Sequence, residues 1–153
     1  MPHPKQTLAL HAFAGEWTGT AAIYMGTIHL KGYQSMKVVA NGWALQGHGR
    51  WTNEDQSFVL EESFQGAYDA PSNKIHWQVM YSQGPQAFTV PGLFNDLGDI
   101  LTLNRSYPTP DGMCDETGVW TFLSKEHREL LIESKVGGQV VYRLTADVVK
   151  NNC

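Results

Sequence analysis

The chain has 153 residues, of which 42% are hydrophobic and 17% charged, so it is long enough to bury the core of one globular domain. The formal net charge is −4 and Lys and Arg do not cluster, which excludes nucleic acid as a main partner and provides no electrostatic membrane anchor. No apolar run has the length of a membrane span, and no signal-peptide pattern follows Met1, so we expect a cytoplasmic protein with no membrane partner.

The first predicted element is a helix over residues 4–14. Pro4 suits a first helical turn, and Gly15 suits the position just past a helix end. Leu10, Phe13 and Ala14 recur at helical spacing, so one face can pack on other elements. Because so short a helix is unstable alone in water, we expect it to plug or cover a larger sheet.

From Trp17 onward the hydrophobic period changes from that of a helix to two, which is typical of strands. Turn residues such as Asn41-Gly42 and Gly137-Gly138 separate the segments, and Gly84-Pro85 and Pro91-Gly92 are predicted to interrupt the chain. The ten predicted strands cover residues 17–25, 34–40, 43–51, 57–68, 74–82, 86–90, 100–107, 117–123, 128–134 and 139–149.

Regular turn spacing without intervening helices indicates an all-β protein. Closing so many strands on themselves removes the exposed sheet edges. We therefore predict one domain over residues 1–153, an up-and-down antiparallel β-barrel of about ten strands with a short N-terminal helix.

The Gly15-x-Trp17 pair, placed where a short helix passes into the first strand, resembles the start of lipocalins and their calycin relatives. The resemblance implies that Trp17 closes the bottom of the barrel and that an Arg from a late strand packs against it. Arg143 is the residue that matches this position. Fatty-acid-binding relatives hold a carboxylate with a late-strand Arg and a Tyr, but Tyr142 and Arg143 are adjacent and must face opposite sides of a strand.

Over nearly its full length the sequence is similar to an uncharacterised, mainly bacterial family of calycin-like barrels. The similarity consists of the Gly-x-Trp start, the segment Gly66-Ala67-Tyr68-Asp69 before a turn, and the aromatic strand that carries Trp77 and Tyr81. That family has no established reaction, so the resemblance implies a fold and a cavity.

Aromatic side chains are the strongest collective feature of the predicted strands, and in a barrel they line either a core or an apolar pocket. Trp77 and Tyr81 share one strand face, and Arg105 could contact a polar ligand head. We therefore predict a small, mostly hydrophobic molecule as the partner. The candidate ligand-binding residues are Trp77, Tyr81, Trp120, Arg105, Phe64 and Arg143.

The alternative function is a cofactor-free enzyme of the isomerase or cyclase type. Glu62 shares a strand face with Phe58, Leu60 and Phe64, and a carboxyl group among aromatic rings would have a raised pKa suited to acid–base catalysis. An outward face, or a pair with an internal Arg, would give Glu62 a structural role. His48 is the second candidate catalytic residue.

No metal or other cofactor is expected, because His48, Glu62 and His76 lack the short spacings of metal ligands. The last histidine, His127, lies in a predicted turn, which counts against haem. Cys114 and Cys153 are the only cysteines, and free thiols are a simpler expectation than a bridge. A structural or interaction protein, a homodimer held by an exterior apolar patch, is the third hypothesis.

Overall fold

The computed structural model describes residues 3–82 and 86–151, with only the backbone described for residues 86 and 87. The interruption predicted at Gly84-Pro85 and the second cysteine, Cys153, lie outside the described residues. The N-terminal helix is shorter than predicted: an α-helix, α1, covers Lys5–Leu10, and a 3-10 turn covers His11–Phe13. Ala14 is already extended, with φ −63° and ψ 139°, so the chain has left the helix before Gly15.

Ten strands follow, and each is paired with its neighbours along the chain. They are β1 (Gly15–Ile23), β2 (Ile28–Val39), β3 (Ala44–Thr52), β4 (Val59–Asp69), β5 (Lys74–Tyr81), β6 (Gln86–Phe94), β7 (Ile100–Thr109), β8 (Gly112–Ser124), β9 (His127–Val136) and β10 (Gln139–Lys150). A second 3-10 turn, Ala40–Gly42, joins β2 to β3 at the predicted Asn41-Gly42 turn.

The strands form one closed antiparallel barrel in up-and-down order, and pairing of β1 with β10 completes the ring. In that closing pair Trp17 lies opposite Lys150 and Ala22 lies opposite Thr145. The predicted fold class is therefore confirmed, including the number of strands and the short N-terminal helix.

Strand β6 does not stop at Val90 as predicted but continues through Pro91 to Phe94. Among the described residues, β6 pairs with β7 only through Gly92, Leu93 and Phe94, whereas its pairing with β5 extends from residue 86 to residue 92. Pro91 lies opposite His76 of β5 and, among the described residues, has no partner on β7, which is the kind of edge position where a strand tolerates proline.

Side chains alternate between the barrel interior and the solvent, as a period of two requires. On β3, Leu45 and Trp51 are buried, and the glycines between them bring other groups close to the strand. A Cβ on Gly47 would lie 2.6 Å from the Phe64 ring, and one on Gly49 would lie 2.6 Å from Glu62 Oε1. The two glycines of β3 therefore make room for β4 side chains inside the barrel.

The N-terminal segment closes one end of the barrel, which we call the floor. The Gln6 side chain exchanges two hydrogen bonds with the backbone of Phe94, at 3.1 and 2.9 Å. The Trp17 indole N–H donates to the Phe13 carbonyl at 2.9 Å, and the Phe13 ring packs edge-on against Trp120 and Phe122. Among the described residues, no helix has the length and apolar character needed to cross a bilayer.

Candidate functional site

The floor contains a fully buried arginine, Arg128, near the start of β9. The centre of its guanidinium group lies 4.1 Å from the Trp120 ring centroid, 4.5 Å from that of Trp17 and 5.1 Å from that of Phe13. Burial lowers the pKa of Arg128 to about 9. Its Nε and Nη1 atoms have no hydrogen-bond partner among the described residues, so three aromatic faces take the place of water around the cation.

The prediction that Arg143 packs on Trp17 is wrong. On β10 the residues Ala146 and Val148 are buried, so Arg143, an odd number of residues away, faces the solvent. Its Nη2 lies 2.7 Å from Glu133 Oε2 on the outside of β9. Arg143 therefore lies outside the cavity and on the opposite side of the barrel wall from the position predicted for it.

A chain of side-chain hydrogen bonds runs from the floor into the barrel. Arg128 Nη2 donates to Gln34 Oε1 at 2.7 Å, and Gln34 Nε2 donates to Glu62 Oε1 at 2.5 Å. The Trp51 indole N–H donates to the same Glu62 oxygen at 3.1 Å. Glu62 Oε1 is thus held by two donors, while Oε2 has no hydrogen-bond partner among the described residues.

Glu62 faces the barrel interior, as predicted, and burial raises its pKa. The hydrogen bonds from Gln34 and Trp51 and the positive charge of Arg128 act in the opposite direction, but desolvation is the larger effect. Its neighbour Glu61 faces the solvent and lies 3.6 Å from Arg50. The interior therefore contains a carboxyl group whose neutral form is favoured by its surroundings.

Glu62 lines a space of about 100 Å³ in the middle of the barrel, which we call the inner chamber. Most of its wall is apolar and aromatic, with contributions from nearly every strand. Four of the predicted ligand-binding residues, Phe64, Trp77, Tyr81 and Trp120, belong to this wall. The wall also includes Gln34, Trp51, Leu103, Glu116, Gly118 and Ile132.

A wider space of about 650 Å³, which we call the mouth, lies at the end of the barrel opposite the floor. The two spaces share part of their walls, including Leu60, Tyr81, Phe88 and Ile132, so the mouth leads into the inner chamber. A molecule of a few hundred Å³ fits the mouth, in the range common for ligand sites.

An ion pair joins two directly paired residues of β7 and β8 on the wall of the mouth. Arg105 Nε lies 2.7 Å from Glu116 Oε1, and Ser134 Oγ donates to Glu116 Oε2 at 2.8 Å. The Arg105 guanidinium also lies 3.6 Å from the Phe88 ring centroid. Among the described residues, β6 and β7 pair only through residues 92–94, so this contact joins the two strands where no backbone pairing is seen.

The structure does not bring the two predicted catalytic residues together. His48 is exposed on the outside of β3, where its ring meets Tyr33 edge-on at 6.2 Å. The alternation along β3 places Gly47, Gly49 and Trp51 inward, so His48 must point outward. The prediction of His48 as a partner of Glu62 in the cavity is therefore wrong. His76 is also exposed, near Asp69 and Ser72.

The outside of the barrel carries a shallow concavity of about 1,170 Å³ across β1, β2, β9 and β10. At its border His127, Glu129 and Asp147 hold potential metal-ligand atoms within 4.8 Å of one another. The His127 Nε2–H group donates a hydrogen bond to the Asp147 carboxylate at 3.0 Å, and all three side chains are at least partly exposed. This cluster is separated from Glu62 by the barrel wall.

Sequence patterns missed three polar residues of the interior: Gln34, Glu116 and Arg128. Gln34 and Arg128 each begin a predicted strand, so no preceding alternation assigned them a face. Glu116 lies in the segment left unassigned before residue 117, whereas β8 begins at Gly112. The alternation Cys114, Glu116, Gly118, Trp120 would have placed Glu116 on the Trp120 face.

No protein-family model matches the chain, and no curated protein matches it. The fold is similar to that of the S-type phycobiliprotein lyase CPES from Guillardia theta, with a TM-score of 0.63 and 11% identity over 97% of this chain and 94% of the other. It is also similar to EF1p2_mFAP2b bound to DFHBI, with a TM-score of 0.52 and 12% identity over 96% of this chain and 100% of the other. A redesigned β-barrel, b11L5F_LGL, is similar with a TM-score of 0.53 and 13% identity over 98% of this chain and 100% of the other. These likenesses establish a shared fold.

Proposed function

We propose that this barrel binds a small, mostly hydrophobic molecule, which lies in the mouth and extends one end into the inner chamber. The observation that carries the proposal is the inner chamber itself, a largely apolar space that continues into the mouth. Its wall includes Glu62, whose Oε2 has no hydrogen-bond partner among the described residues. A carboxyl oxygen without a partner on the wall of an apolar space can pair with a polar group of a ligand.

Two further observations favour ligand binding. The inner chamber is lined by large aromatic side chains, which supply apolar contact area. Barrels of similar fold include one solved with the small molecule DFHBI and one named as a phycobiliprotein lyase. We also place this chain among calycin-like barrels, on the Gly15-x-Trp17 start and on Arg128, a late-strand arginine that packs against Trp17.

A cofactor-free enzyme is the second candidate function, and the raised pKa of Glu62 is the observation that favours it. A carboxyl group with such a pKa can exchange a proton with a bound substrate. His48 takes no part because it lies outside the barrel. In this alternative Glu62 acts alone, and Glu62→Gln removes turnover while it leaves substrate binding in place.

Gly118 provides the test of ligand binding. A Cβ added at Gly118 would lie 3.5 Å from Ile132 and 4.0 Å from Leu103, which is ordinary contact, and both neighbours line the inner chamber. Gly118→Leu should therefore fill the inner chamber without disturbing the backbone. Thr117→Leu, on the outside of the same strand, is the matched control.

The measurement is fluorescence titration with Nile red, an uncharged hydrophobic dye. We expect saturable binding to the wild type and to Thr117→Leu, and affinity at least about tenfold weaker for Gly118→Leu, because the dye must lose about 1.4 kcal/mol or more of contact. Equal binding by all three proteins would show that the dye binds elsewhere and would contradict the proposal.

A further inference from the structure

We infer that the inner chamber selects an uncharged ligand whose inner end is a carbonyl group, and that the carbonyl oxygen accepts hydrogen bonds from the side chains of Glu62 and Tyr81. This inference rests on the proposed ligand-binding function. It concerns the chemical class of the ligand, and it follows from which polar atoms of the chamber are already paired.

The charged groups of the interior leave no cation for an anionic ligand. The guanidinium of Arg105 is paired with Glu116 and covered by Phe88. Arg128 is enclosed by the floor, where aromatic rings cover it and Gln34 accepts from it. A carboxylate in the chamber would lie near Glu62 and Glu116 without a free arginine, and an unpaired charge in such surroundings is strongly disfavoured.

The unpaired polar groups of the chamber are mostly donors. Among the described residues, the Tyr81 hydroxyl and the indole N–H groups of Trp77 and Trp120 have no hydrogen-bond acceptor, and all three side chains line the chamber. Both oxygens of Glu116 are in use. A ligand that brings an acceptor complements this set, whereas one that brings only donors does not.

Glu62 is arranged to act as a further donor. Its Oε1 accepts from both Gln34 and Trp51, which leaves Oε2 as the position for the proton of a neutral acid. The Gln34 amide separates Glu62 from Arg128, so no cation contacts the carboxyl group directly. Burial raises the pKa of Glu62, which favours this neutral form.

Tyr81 lies beside Glu62 on the neighbouring strand. The two residues are directly paired in the register of β4 and β5, which places their Cβ atoms about 5 Å apart on the inner face. Burial, followed by the charge of Glu62, raises the pKa of Tyr81, so its hydroxyl keeps its proton. One carbonyl oxygen can therefore lie within reach of both donors.

The titratable groups that face Glu62 come from several strands. They are Tyr81 of β5, Arg105 of β7, Glu116 of β8 and Arg128 of β9, which line or adjoin the same interior. Burial lowers the pKa of Arg128 to about 9 and raises that of Tyr81, so both side chains keep their protons at neutral pH. Both oxygens of Glu116 are already paired, whereas Glu62 Oε2 is not, so Glu62 is the group whose ionisation should change the affinity of a carbonyl ligand.

The test compares methyl tridecyl ketone with pentadecanoate, which has the same number of carbons and a carboxylate in place of the ketone. Binding is followed by calorimetry and by Trp emission in the wild type, Glu62→Gln and Tyr81→Phe. Glu61→Gln, the same substitution one residue away on the outer face, is the matched control. Gly118→Leu reports whether each probe enters the chamber at all.

We expect the wild type to bind the ketone at least about tenfold tighter than pentadecanoate at neutral pH, because the carboxylate must be desolvated without a counter-ion. Tyr81→Phe should weaken ketone binding by about fivefold, the effect of one hydrogen bond. In Glu62→Gln the amide carbonyl can accept from Gln34 and Trp51 while its NH₂ donates to the ketone, so affinity should stay within about threefold.

The pH dependence separates the two Glu62 forms. Ketone affinity of the wild type and of Glu61→Gln should fall as pH rises through the folded-state pKa of Glu62, which burial raises, whereas that of Glu62→Gln should not change over the same range. The bound ketone should also show a carbonyl stretching band at lower frequency than in hexane, since hydrogen bonds weaken the C=O bond.

Two different failures can be told apart. Tighter binding of pentadecanoate than of the ketone, or loss of ketone binding in Glu62→Gln at every pH, would overturn this inference and leave the proposed function standing. Absence of saturable binding of both probes, or binding of both that Gly118→Leu does not alter, would overturn the proposed function and this inference together.

Discussion

Replacement of Trp17 by Phe should lower the stability of the barrel without changing its affinity for ligand. Trp17 is fully buried in the floor, where its N–H donates to the Phe13 carbonyl at 2.9 Å and its ring contacts Arg128. Loss of that hydrogen bond costs about 1 kcal/mol. The smaller ring buries roughly 40 Å² less apolar surface, worth about another 1 kcal/mol. The weaker contact with the Arg128 cation adds about 0.5 kcal/mol.

We therefore expect Trp17→Phe to reduce the free energy of unfolding by about 2–3 kcal/mol, which lowers the melting temperature by about 5–10 °C in a chain of this size. Urea denaturation measures the change, and an unchanged m-value shows that the same surface is exposed on unfolding. Ligand affinity should remain within about twofold, because Trp17 does not line the inner chamber.

Trp43→Phe is the control, since Trp43 is 45% exposed and its loss should cost less than about 0.5 kcal/mol. A structural role of Trp17 in the floor is refuted if Trp17→Phe lowers the free energy of unfolding no more than Trp43→Phe does. It is equally refuted if Trp17→Phe weakens ligand binding as much as Gly118→Leu does, because the floor and the site would then be the same structure.

Three further outcomes are expected. The pKa of Glu62 is raised above 4.5 by burial, so the folded state keeps a proton that the unfolded state loses, and the wild type loses stability as pH rises from 4.5 through the folded-state pKa. The unfolding free energy of Glu62→Gln relative to wild type should therefore increase by up to about 1.4 kcal/mol per pH unit over this range. A difference that does not change with pH would refute the pKa shift. Gly49→Ala should cost about 1–3 kcal/mol in urea denaturation, because its Cβ would meet Glu62 Oε1 at 2.6 Å, whereas Gly118→Ala should change stability by less than about 1 kcal/mol. His48→Ala should alter ligand affinity by less than about twofold, as titration with Nile red can check, since the side chain lies on the outer surface.

The architecture was accessible from the sequence because a period of two and regularly spaced turns specify strands directly. The strand assignment failed mainly at its boundaries. The interruption at Pro91 depended on whether a second strand pairs there, and only the tertiary arrangement of β6 and β7 decides that. The first residues of β2 were missed because Gly32 interrupts the apolar alternation. The structure explains this glycine, because a Cβ at Gly32 would collide with the Arg50 carbonyl and the Trp51 ring of β3.

Some residues of the site were predicted correctly and others were not, because the tertiary structure decides which face of a strand points inward. Glu62, Phe64, Trp77, Tyr81 and Trp120 lie on long alternating strands, and the face assigned to each of them is the inner one. Which face of a single strand points inward is not contained in that strand alone, so His48 was placed on the wrong side.

The arginine that packs against Trp17 is Arg128 and not the predicted Arg143, which shows a second limit of prediction from the sequence. Both arginines lie on late strands, and the resemblance to lipocalins specified only that a late-strand arginine meets Trp17. Arg128 starts its strand immediately after a turn, where no alternation precedes it, whereas Arg143 lies between clear apolar neighbours. The burial of Ala146 and Val148 shows that Arg143 faces outward, and this burial is known only from the closed barrel.

The most direct test of the account is the position of a bound ligand. A crystal soaked with a bromine-substituted methyl alkyl ketone gives an anomalous bromine peak that locates the chain of the ligand, and the carbonyl position follows from the connecting density. We predict a single peak within the barrel, in the mouth, with the carbonyl oxygen directed toward Glu62 and Tyr81. A bromine peak only in the concavity outside β1, β2, β9 and β10, with the inner chamber unchanged, would contradict the central claim.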